Sequence, residues 1–287
     1  MLSRRIPAAV TASALLVFLF FVARMQAQNA ASAFPPLEQW RSAVLAADSA
    51  ALRSLFSNQP APEISTVKGA SNVDADVSFW TSLKAQQMNV DVVQQSSPQT
   101  GVQAVVFQAE IQQAGSKSSS LYVSEAQVWQ QQANQWRLVM VKRTDATHLK
   151  QPLDTNKSIY PAGIDAHAEI KEAEEKAAKE HKRVLLVFGA NWCFDCHVLD
   201  LAFQRADFVP VVAHYEVVHI DIGDDGKKNG DIAKEFQVPL EKGIPALAVV
   251  DAAGKLLVSQ KNGEFENARA MTPEAILEFL NKWKPEA

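Results

Sequence analysis

The stretch "VLLVFGANWCFDCHVLD", residues 184–200, holds both cysteines of the chain, Cys193 and Cys196. It begins as a continuous apolar run, "RVLLVFGA" when Arg183 is included, which is the pattern of a strand buried on both faces. It ends in Val198 and Leu199, followed by Leu201, Ala202 and Phe203, which support a helix after the cysteines. A cysteine pair with two residues between serves three chemistries: a redox dithiol, half of a zinc site, or haem attachment, because His197 follows directly.

The elements on either side alternate helix and strand. Residues 164–182 form a helix rich in Ala, Glu and Lys, with Asp165 as its cap and the charges on a solvated face. "YEVVHIDI", residues 215–222, is a strand, and "GDIAKEFQV", residues 230–238, a short helix. "PALAVVD" and "KLLVSQ" flank a turn at Ala253-Gly254 and make a hairpin. "TPEAILEFLNKWK" is a terminal helix with Thr272 as cap and Pro273 at its first position, and Met271, Phe279 and Trp283 are expected in its packing. This order predicts an α/β domain with a mixed central sheet and helices on its faces.

Zinc needs four Cys or His ligands in a structural site. Only His197 lies near the pair, and His148, His167, His181, His214 and His219 show no ligand spacing, so no metal is expected. Haem needs an open pocket and usually a second axial ligand, whereas the run beside the pair reads as a buried strand. "DIGDDGKKNGDI", residues 221–232, places Asp221, Asp225 and Gly226 as a calcium loop would, but its twelfth position is Ile232 where a bidentate acid is required. It reads as a solvated loop.

The order of elements, Trp192-Cys193-Phe194-Asp195-Cys196 between strand and helix, and Gly243-Ile244-Pro245-Ala246 ahead of a strand together resemble the thioredoxin-like family over residues 160–285. The resemblance implies a thiol–disulfide oxidoreductase with no cofactor beyond a redox-active Cys193–Cys196 disulfide. Its partners would be protein disulfides or dithiols and a thiol protein that donates or accepts electrons. Helix-start N–H groups and the helix dipole stabilise a thiolate, so Cys193 is the expected nucleophile and Cys196 the resolving thiol. Trp192 is expected to pack beside the pair and restrict water, with His197 either tuning the pair or lying on the surface. A cis bond before Pro245 is expected to leave the Ile244 backbone free to bind a substrate strand. One departure is Val187, six residues before Cys193, where many thioredoxins carry a buried acid. Asp195 is either the substitute proton acceptor or an exposed helix-start carboxylate. With Phe194 it forms the spacer, and its charge is expected to raise the Cys193 pKa and favour reduction or isomerisation.

The N-terminus reads as an export signal in residues 1–33. Arg4 and Arg5 precede an apolar run from Ile6 to Ala23 and a small, polar exit. The length of the run also allows a retained membrane anchor facing a periplasm. Residues 34–147 are expected to form an α+β domain. A helix over residues 37–57 and a second over 76–87 precede three antiparallel strands, in "VQAVVFQAEIQQ", "LYVSEAQVWQQ" and "QWRLVMVKR". A helix followed by a curved sheet resembles the SnoaL-like and cystatin-like domains. Glu110, Glu125 and Asp145 are spaced like surface carboxylates, so no catalytic acid is expected there. Residues 148–163, with two prolines, a glycine and few core residues, read as the linker to the domain at 164–287.

The 287 residues carry a formal net charge of −4, which argues against a nucleic-acid partner. With 47% hydrophobic residues the chain can bury substantial cores. A second functional class is a client-binding, chaperone-like module in which the dithiol is incidental. Replacing both cysteines would leave such a module working.

Overall fold

The computed structural model describes residues 34–113 and 120–286. The export segment expected at 1–33 lies outside them. No helix among the described residues is long and apolar enough to cross a membrane.

The N-terminal half is a helical layer on one face of a six-stranded sheet. Helices α1 (Pro35–Leu45), α2 (Ser49–Leu55) and α3 (Val73–Ser82) surround the short strands β1 (Glu63–Thr66) and β2 (Gly69–Ala70) in sequence. The meander β3 (Ala85–Gln99), β4 (Val102–Gln113), β5 (Leu121–Gln132) and β6 (Gln135–Arg143) follows, and the spatial order is β2-β1-β6-β5-β4-β3. Leu37, Trp40 and Val44 repeat at helical spacing and sink into the sheet, where Val105, Phe107, Ala109 and Ile111 of β4 meet them by strand alternation. The Trp40 ring stands edge-on to Trp80, with centroids 4.8 Å apart. Asp48 and Asn72 cap α2 and α3 through the N–H groups of Ala51 and Ala75.

Three expectations change here. The single helix expected over 37–57 is broken into α1 and α2, with Asp48 capping the second. The helix expected over 76–87 is α3 and ends at Ser82, and the residues after it enter β3, which the amino-acid pattern does not reveal. Only Ala85 and Met88 of β3 are buried, so an edge strand of Gln, Asn and Ser shows no alternation of hydrophobic residues. Glu125 is not a surface carboxylate. It falls on the inward face of β5 with Val123 and Trp129 and is 2% exposed. Asp145 does stay outside and pairs with Lys68 at 3.1 Å. Glu110 is half-buried and accepts hydrogen bonds from Ser120 and Tyr122.

The C-terminal half is a four-stranded mixed sheet with helices on both faces. Its elements are α4 (Ala166–Glu180), β7 (Arg183–Gly189), α5 (Phe194–Phe203), α6 (Val209–Val212), β8 (Tyr215–Asp221), α7 (Gly230–Glu235), β9 (Ala246–Val250), β10 (Leu256–Ser259) and α8 (Pro273–Trp283). The strand order is β10-β9-β7-β8, with β7 parallel to β8 and antiparallel to β9. Val184, Leu186 and Phe188 of β7 face the layer of α4 and α7, while Leu185 and Val187 face α5 and α8. Both faces are covered, which is why this strand reads as an uninterrupted apolar run. Asp165 caps α4, and Thr272 caps α8 through Ala275 N–H.

The segment between the sheets holds more core than its composition suggests. Leu149 is fully buried in the layer of α5 and α8, and Tyr160 is fully buried beside the cysteines.

Candidate active site

The cysteines lie where β7 gives way to α5. Cys193 is the N-cap of α5, and its sulfur accepts a hydrogen bond from Cys196 N–H at 3.1 Å. A helix's first turn leaves its N–H groups without intrahelical partners, so negative charge on this sulfur is stabilised there. Cys193 and Cys196 are joined as a disulfide with Cα atoms 5.3 Å apart. Cys193 Sγ lies 3.8 Å from the Ile244 carbonyl, and the Ile244–Pro245 bond is cis. Ile159, Tyr160 and Ile244 pack around the pair, leaving Cys193 5% exposed and Cys196 2%. The residues expected to form the site, Cys193, Cys196, Ile244 and Pro245, therefore meet in space although they come from two distant stretches.

Three supporting residues sit otherwise than expected. Trp192 is 55% exposed and its indole N–H donates to the Gly223 carbonyl, while Ile159, Tyr160 and Ile244 are the residues that cover the pair. His197 is neither exposed nor beside the sulfurs through a hydrogen bond. Its ring is buried, and Nε2 lies 2.7 Å from the Asn191 carbonyl, which ties the turn ahead of Cys193 to the helix. Asp195 is neither an exposed helix-start carboxylate nor a partner of Cys196. It is buried, and both its oxygens are taken by Arg269, through the guanidinium and, for Oδ1, the backbone N–H at 2.9 Å. Arg269 also lies over the Phe194 ring, 4.5 Å from its centroid. One cation thus locks both spacer residues and places a positive charge against the Asp195 carboxylate.

Sequence reading missed Arg269, Asn191 and Tyr160. Asn191 Oδ1 accepts from the N–H groups of Ile159 and Tyr160 at 2.9 and 2.8 Å, and its Nδ2 donates to the Tyr160 carbonyl. The only signal for Tyr160 was an aromatic residue in an otherwise polar, proline-containing segment. Val187, at the position of the missing acid, is buried in the apolar layer.

A family model described as thioredoxin-like matches residues 165–252. A solved disulphide isomerase from Xylella fastidiosa Temecula1 is 38% identical, covering 44% of this chain and 97% of that one, with a TM-score of 0.42. The chain belongs to the thioredoxin-like family. The thioredoxin-like domain and its cysteine pair at a helix start support thiol–disulfide oxidoreductase chemistry. The region ahead of the thioredoxin-like domain is similar to NTF2-like proteins. One from Rhodospirillum rubrum ATCC 11170 is 17% identical over 38% of this chain and 94% of that one, with a TM-score of 0.32. Another, from Shewanella oneidensis MR-1, is 9% identical over 39% and 94%, with a TM-score of 0.33. No curated protein matches the chain.

Proposed function

We propose that this protein is an exported thiol–disulfide oxidoreductase acting on protein disulfides, in the reducing or isomerising direction. The observation that carries the proposal is the Cys193 sulfur at the start of α5, accepting the Cys196 N–H and lying against the Ile244 carbonyl. In the reduced protein the Cys193 thiolate attacks a substrate disulfide. That S–S bond breaks, a Cys193–substrate bond forms, and the released substrate sulfur takes a proton from water. Cys196 then attacks Cys193. The Cys193–substrate bond breaks, the Cys193–Cys196 bond forms, and the Cys196 proton ends on the departing substrate thiol. The substrate gains two electrons and the domain loses two, which a reduced thiol protein returns. The Ile244 backbone offers a substrate strand a place to pair beside Cys193.

With Arg269 offsetting Asp195, the spacer charge no longer argues for the reducing direction. The name of the 38% identical Xylella protein, a disulphide isomerase, favours the isomerising direction instead. Export rests on residues 1–33, where Arg4, Arg5 and the apolar run from Ile6 form a signal or an anchor.

A Cys196→Ala variant in the native host should accumulate mixed disulfides through Cys193, and identification of the captured proteins gives the substrates. No capture by this variant, with both halves folded, refutes the exchange reaction. A potential near that of the strongest oxidants, about −120 mV, refutes the direction alone.

A further inference from the structure

The resolving thiol has no acid behind it, since the strand position that would supply one is Val187. A different polar group stands there. The Tyr160 hydroxyl is fully buried and has no hydrogen-bond partner among the described residues. Buried hydroxyls are nearly always paired, so this one calls for a partner that another state of the protein provides. Gly189 locates that partner. A β-carbon at Gly189 would stand 2.7 Å from the Cys196 sulfur and closer still to the Tyr160 oxygen, which puts the two atoms within about 5 Å of each other. In the disulfide, Cys196 Sγ is tethered to Cys193. Reduction breaks that tether and lets the sulfur turn about its Cα–Cβ bond.

We infer that the Tyr160 hydroxyl donates a hydrogen bond to the Cys196 sulfur when the pair is reduced, and thereby speeds the resolving step. This rests on the exchange reaction proposed above. A thiolate accepts a hydrogen bond far better than a disulfide sulfur does, so the donor favours the form of Cys196 that attacks. The phenol acts as donor and not as base. Burial, reinforced by the charges of Asp200 and Asp221, holds its proton well above the ordinary tyrosine range. The other titratable neighbour is His219, whose ring stands edge-on to Tyr160 and whose burial lowers its pKa below the usual histidine value. The position is rigid, because Asn191 holds the Tyr160 backbone from both sides through its N–H and carbonyl. The absence of a side chain at Gly189 is what lets the ring and the sulfur approach.

The test uses the reduced full chain and the aromatic disulfide known as Ellman's reagent. Attack by Cys193 releases one thionitrobenzoate, and resolution by Cys196 releases a second. In Tyr160→Phe the first release should stay within about twofold of wild type, and the second should slow about tenfold, the scale of one charge-assisted hydrogen bond. A second release within twofold of wild type overturns the inference, as does equal slowing of both. A further measurement separates donation from packing. In a Cys193→Ser background the alkylation rate of Cys196 should need a pH about one unit higher once Tyr160 is Phe, and an unchanged pH profile overturns the inference. If wild type itself shows no second release, the exchange reaction fails. If wild type shows both releases and the Phe variant matches it, only the tyrosine's role fails.

Discussion

Each half of the molecule contains an arginine that grips an aspartate while lying over an aromatic ring. In the N-terminal half Arg143 Nε donates to Asp76 at 2.7 Å and the guanidinium sits 3.5 Å from the Phe79 centroid. In the C-terminal half Arg269 grips Asp195 over Phe194. The side chains of the first pair are 5% and 2% exposed, those of the second 47% and 10%. The first belongs to a buried polar chain: Trp80 and Gln127 donate to Glu125 at 3.1 and 2.6 Å, and Trp129 donates to Gln127 at 2.9 Å. Two carboxylates there share the neighbourhood of one guanidinium. Burial raises the pKa of both, and the charge of Asp76 pushes Glu125 higher still. At the second pair water screens the cation, so the same contact sets local geometry more than stability. Depth, not partner chemistry, separates a pair on which a fold depends from one that arranges a redox loop.

The largest consequence falls on the buried pair. Arg143→Met should destabilise the N-terminal half by about 3–5 kcal/mol, because it leaves Asp76 buried without its counter-charge. Urea unfolding measures this, and a loss under about 1 kcal/mol would put the two pairs on the same footing.

Next comes pH. The folded-state pKa of Glu125 lies above its ordinary value of 4.5. Its contribution to stability is therefore full below that value and is lost as pH rises through the folded pKa. Glu125→Gln should flatten the fall in stability of the N-terminal half as pH rises above about 4.5. Parallel curves for variant and wild type, measured by thermal melting, would contradict a raised pKa at Glu125.

The smallest effect is at the exposed pair. Arg269→Met should cost at most about 1 kcal/mol of stability. It uncovers the Asp195 charge beside the Cys193 thiolate and disfavours the reduced form. The equilibrium with glutathione should move about threefold toward the disulfide, roughly 15 mV more reducing. A shift in the oxidising direction would mean that Arg269 does not offset Asp195.

Legibility differs between the halves for physical reasons. Around the cysteines, β7 shows its burial because both its faces are covered, and the caps Asp165 and Thr272 announce their helices. β3 stays hidden because an exposed edge needs no apolar face. Glu125 deceives because a charge on an inward face looks out of place until its partners are known: Trp80 comes from a helix 45 positions away, and Gln127 lies two residues further along β5. The segment at 148–163 deceives in the other direction, since Leu149 and Tyr160 are too few to make a pattern yet are both fully buried.

Periodicity, caps and the cysteine spacing were enough to read the α/β half, the strand-to-helix junction and Cys193 at the start of its helix, because these depend on residues a few positions apart. The surroundings of the sulfurs depend on chain segments brought together by folding. Arg269 reaches Asp195 across 74 positions, and Asn191 holds Tyr160 across 31. Burial and electrostatics act through distance in space, and no local pattern of residues records that distance.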